Sequence, residues 1–62
     1  PDTYENDRCV EYIKIDEEGN KMEVLLNASN EKVKVKGSGE VLFAREFDGD
    51  ILGVNGTLIR RI

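Results

Sequence analysis

The sequence predicts an all-β fold, a small antiparallel β-sandwich or barrel of about five to six strands. Three observations carry that expectation. The apolar residues fall in short runs bounded by turn chemistry, with no sustained helical period. Val and Ile supply nearly half of the hydrophobic residues, and β-branched side chains suit a pleated sheet better than a helix. Gly, Asn and Asp punctuate the chain between the runs.

Taken in order, residues 1–8 (PDTYENDR) are polar and pattern-free and read as a flexible lead-in or linker. Residues 9–62 then form one small β-domain. The first strand spans Cys9 to Asp16 and ends at Glu17-Glu18-Gly19-Asn20, a hairpin loop. The second strand spans Lys21 to Asn27, with Met22, Val24 and Leu26 on one face. Ala28-Ser29-Asn30 turns the chain, and the side chain of Asn27 can close that turn.

The third strand, Glu31 to Lys36, alternates Val33 and Val35 with lysines, the pattern of a sheet with one wet face and a guarded edge. Gly37-Ser38-Gly39 breaks the run. The fourth strand spans Glu40 to Arg45. Asp48-Gly49-Asp50 makes another turn, and Ile51-Leu52 opens a short fifth strand. Asn55-Gly56 carries the strongest two-residue hairpin signal, because a type I′ turn needs positive φ twice. A sixth strand, Thr57 to Ile62, closes the chain.

The inventory excludes several function classes. The chain has no His, which removes the commonest general base and zinc ligand and every Ser-His-Asp arrangement. A single cysteine, Cys9, excludes an internal disulfide and reads as a small strand residue. No apolar run is long enough to cross a membrane as a helix, and no cleavable leader is visible, which favours the cytoplasm. Thirteen Asp and Glu against nine Lys and Arg give a net charge of −4, a poor balance for wrapping phosphates. Nucleic acid and membrane are therefore not expected partners. At 62 residues the chain has little volume for both a core and a cleft, so no enzyme activity, cofactor or metal is expected.

The remaining motifs have plain structural readings. Asn27-Ala28-Ser29 and Asn55-Gly56-Thr57 match the glycosylation pattern, but turn chemistry explains both asparagines. The acidic turns Asp16–Asn20 and Glu46–Asp50 lack the alternating oxygens and distal Glu of a calcium loop. Lys32, Lys34 and Lys36, with Arg60 and Arg61, could line one basic stripe, but with no interleaved aromatics and with Glu31 and Glu40 beside the first cluster they read as a solvated face.

One feature resists a plain reading. Leu25 breaks the alternation of the second strand, and Leu42 with Ala44 breaks that of the fourth. With Met22, Val24, Leu26, Val33, Val35, Val41 and Phe43 as the inner layer, Leu25 and Leu42 must meet a second layer built from Leu58 and Ile62, or another protein surface. Leu25, Leu42 and Ala44 are thus the candidate interface residues.

Residues 9–62 also carry a family likeness. Val10-Glu11-Tyr12-Ile13-Lys14, the stretch Asn20 to Ser29, the strand Lys32 to Lys36, Gly39-Glu40-Val41-Leu42-Phe43 and the closing Gly53 to Ile62 resemble successive strands of one known domain. It is the β-rich C-terminal domain that follows the catalytic barrel in the alpha-amylase family of glycoside hydrolases. The chain departs from it at Leu52 to Gly56, where family members carry a Pro-aromatic pair. The resemblance implies a non-catalytic accessory domain packing against a catalytic domain, with no catalytic residue and with Asn27 as a turn-stabilising residue. A free-standing small β-barrel that binds a protein through an edge or loop face is the alternative.

Overall fold

A computed structural model describes residues 9–62, so the expected linker at residues 1–8 lies outside the described residues. The domain is all-β, with five strands in one curled antiparallel sheet that makes a half-barrel. They are β1 (Cys9–Ile15), β2 (Lys21–Asn27), β3 (Val33–Lys34), β4 (Glu40–Asp48) and β5 (Ile51–Arg61).

β5 organises the sheet. Its C-terminal half pairs with β2, from Leu26↔Thr57 to Met22↔Arg61, and its first residues pair with β3 through Val33↔Leu52 and Lys34↔Ile51. β4 runs along the opposite edge of β5, and β1 lies outside β2 in an unbroken register from Cys9↔Asn27 to Ile15↔Lys21.

The turns follow from local chemistry. Asp16 closes the β1–β2 loop: its Oδ1 accepts the backbone N–H groups of Glu18 and Asn20, each at 2.9 Å, and its Oδ2 accepts the Asn20 side-chain amide at 3.0 Å. Gly19 takes a φ of 87° there, open to glycine at little cost. Gly49-Asp50 links β4 to β5 as a two-residue hairpin loop, Asp48 facing Ile51 and Gly49 holding a φ of 63°.

Asn55-Gly56 does not turn the chain back, which corrects the sequence expectation of two separate strands. Asn55 has the positive φ of 59° that the dipeptide invites, yet the segment lies inside β5. The ladder steps from Arg45↔Thr57 to Phe47↔Leu52, so β5 bulges away from β4 and rejoins it. A Cβ on Gly56 would sit 2.8 Å from the Gly53 carbonyl oxygen and 3.0 Å from that of Arg45, so only glycine fits. Both flanking segments belong to the same partner strand, and that shared pairing overrides the local hairpin signal. β3 is also shorter and β4 longer than the sequence predicts.

The core is inverted relative to the expected inner layer. Leu25 and Leu58 face each other across β2 and β5 with 0% exposure, packed with Cys9, Val33, Val35 and Leu52, and Phe47 leans on them. Val33 and Val35 lie inside as expected, but Val41 and Phe43 are exposed. Alternation places Glu23, Leu25 and Asn27 inward on β2, so Met22, Val24 and Leu26 face out.

Candidate functional site

The two sides of the sheet are laid out as rows of directly paired residues. On the inner side Glu11, Leu25, Leu58 and Ala44 make one row across β1, β2, β5 and β4, and Ile13, Glu23, Arg60 and Val41 make the next. On the outer side the central row is Tyr12, Val24, Ile59 and Phe43.

The centre of the inner side is filled by Leu25, Leu52 and Leu58, while Ile13, Val41 and Ala44 at the ends of its rows are exposed. Polar groups there meet specific partners. The Arg60 Nε donates to Glu23 Oε1 at 2.9 Å, its Nη2 donates to the same oxygen, and Nη2 also reaches the Lys36 carbonyl at 3.1 Å. Asn27 is the second polar hub. Its Nδ2 donates to the carbonyls of Glu31 at 2.8 Å and of Leu52 and Gly53 at 3.0 Å. Its Oδ1 accepts from the Ser29 backbone N–H at 3.0 Å, the Ser29 hydroxyl at 2.7 Å and the Cys9 thiol at 3.5 Å. No buried side-chain polar atom among the described residues lacks a partner. Burial pushes the Cys9 thiol above its ordinary value of 9.0, away from the reactive thiolate.

The outer row differs in being apolar throughout. Tyr12 at 49% exposure and Phe43 at 51% stand at its two ends, while Val24 between them is 6% exposed. Val10, Leu26, Thr57 and Arg45 flank the row on one side, and Lys14, Met22, Arg61 and Glu40 on the other. The result is an apolar band across four strands with charged residues along one border.

The candidate interface residues divide. Leu25 is fully buried at the centre of the core beside Leu58 on the neighbouring strand of the same sheet, so it offers nothing to another protein. The sequence points it the other way because Met22, Val24 and Leu26 mark the opposite face of β2 as the inner one. Leu42 is 38% exposed at the bulge between Val41 and Phe43, and Ala44 is exposed opposite Leu58. The four members of the outer row were not singled out together by sequence reasoning. Only their register across four strands brings them into line.

The basic residues do not form one stripe. Arg60 lies inside against Glu23, Arg61 lies 3.6 Å from Glu40 on the outer border, and Lys34 lies 3.7 Å from Asp50. Among the described residues no three His, Cys, Asp or Glu side chains come together as a metal site. Asn27, with both ends of its amide bonded inside the fold, is closed to glycosylation, whereas Asn55 is exposed. No family model, curated protein or solved structure matches the chain.

Proposed function

We propose that the chain is a non-catalytic β-domain that docks on another protein through the outer side of its sheet. The observation that supports this is the in-register band Tyr12, Val24, Ile59 and Phe43, whose two aromatic ends are half-exposed in a chain that buries only a small core. Exposed aromatic side chains at the ends of an apolar band are the kind of groups that anchor protein interfaces. In the form implied by the family resemblance, the partner is the catalytic domain of a carbohydrate-active, alpha-amylase-like enzyme, and the chain is its accessory domain.

A second reading has its own support. Leu25, Leu52 and Leu58 are enclosed by this chain alone, so the domain holds a core without a partner and suits a free-standing interaction module.

The experiment installs a photoreactive phenylalanine analogue at Phe43 in the producing cell, with the exposed turn position Glu17 as control. Docking is supported by one protein crosslinked from position 43 and not from 17, with Phe43→Lys weakening its purified complex about tenfold or more. A partner that carries a glycosidase barrel supports the accessory form, and any other protein supports the free-standing form. The reading fails if position 43 crosslinks nothing but neighbouring copies of the chain.

A further inference from the structure

The exposed apolar residues are not spread evenly. Of the ten large hydrophobic side chains exposed among the described residues, seven lie on β1 and β4, two of the three strands that pair along one edge only among the described residues. β4 carries its own protection. Its ladder with β5 is shifted at Leu42 and again at Glu46, where φ is 57°, and irregular edges resist further pairing. β1 has no such irregularity, and only Glu11 and Lys14 put charge on it. It is seven residues long, contains no Pro or Gly, and keeps a continuous register with β2.

β1 also exposes apolar side chains on both faces. Val10 and Tyr12 lie on the outer side, and Ile13 and Ile15 on the inner side, all roughly half-exposed. A protein docked on one face covers only one of these pairs. An added strand covers both, because its own side chains alternate between the two faces.

We infer that β1 pairs antiparallel with β1 of a second copy of this chain, across a two-fold axis perpendicular to the sheet at Tyr12. The strand is complementary to itself in this arrangement. Tyr12 faces Tyr12, Glu11 faces Ile13, Val10 faces Lys14 and Cys9 faces Ile15, so all seven residues are paired and no like charges are opposed. Each side of the sheet stays continuous through the axis. The outer rows of the two copies join at Tyr12 into one band that ends in Phe43 at either extreme. The inference goes beyond the docking role and does not rest on it.

Sedimentation equilibrium across micromolar to millimolar concentrations tests it. The full chain is expected to approach twice its 7.0 kDa mass. Tyr12→Lys opposes two lysines on the axis and is expected to raise the dimer dissociation constant roughly tenfold or more. Phe43→Lys, far from β1, is expected to leave it unchanged, which separates this test from that of docking. Amide exchange on the unaltered chain gives a second reading that needs no variant: protection of residues 9–15 is expected to rise with concentration. A chain that stays monomeric at millimolar concentration overturns the proposal. So does a dimer insensitive to Tyr12→Lys, or β1 protection supplied by a copurifying peptide.

Discussion

Glu23 and Arg60 face each other across β2 and β5 on the inner side of the sheet, the guanidinium gripping one carboxylate oxygen through both Nε and Nη2. Their side chains are 10% and 7% exposed. Two charges in the interior of so small a domain are tolerable because their mutual attraction and hydrogen bonds offset much of the desolvation cost of each.

Breaking that pair on one side is therefore expected to be far worse than removing it. Arg60→Leu leaves a buried carboxylate with its main partner gone and is expected to cost about 3–5 kcal/mol, enough to unfold a domain of this size. The double replacement Glu23→Leu with Arg60→Leu is expected to recover most of that loss. Urea midpoints for the two single variants and the double variant measure the coupling, and equal losses in all three contradict it.

Asn27 holds the segment after β2 to the start of β5 through carbonyls of Glu31, Leu52 and Gly53. Asn27→Ala strips these groups of their donor and is expected to cost on the order of 3 kcal/mol. Asn27→Asp retains the acceptor toward Ser29 but turns carboxylate oxygens toward carbonyl oxygens, so it is expected to be no better than Ala. Thermal melts of both variants check this order.

The Asp16 carboxyl is held below its ordinary value of 3.8, chiefly by the side-chain hydrogen bond from Asn20 and then by the backbone N–H of the same residue. Its contribution to stability is present above that ordinary value and disappears as pH falls through the lower value of the folded state. The melting temperature is expected to decline below about pH 4 in part for this reason. Asp16→Asn is expected to lower the melting temperature at neutral pH and to flatten the acid decline. An unchanged acid decline in the variant removes Asp16 from the account.

Leu25 and Leu42, alike in sequence as breaks in a strand pattern, are expected to respond in opposite ways. Leu25→Ala opens a cavity at the centre of the core and is expected to cost about 2–5 kcal/mol, and Leu25→Lys is expected to abolish folding. Leu42→Lys, at an exposed bulge, is expected to change stability by about 0.5 kcal/mol or less. Far-UV spectra and denaturant midpoints distinguish the two.

The sequence by itself determined the fold class, the β1–β2 loop, the Asn27 turn and the hairpin at Asp48-Gly49-Asp50. These depend on interactions spanning a few residues, such as Asp16 with Glu18 and Asn20, and on β-branched runs that suit only a strand. The tertiary structure decided which face of β2 is inside. Three apolar residues on one face and a single Leu25 on the other point the wrong way in sequence. The inner position of Glu23 depends on Arg60, and that of Asn27 on carbonyls of Leu52 and Gly53, all distant along the chain. The tertiary structure also made Asn55-Gly56 a bulge instead of a turn, because the segments on both sides of it pair with β4. A buried polar residue is legible only with its partner beside it, and a strand's register is fixed only by the strands it pairs with.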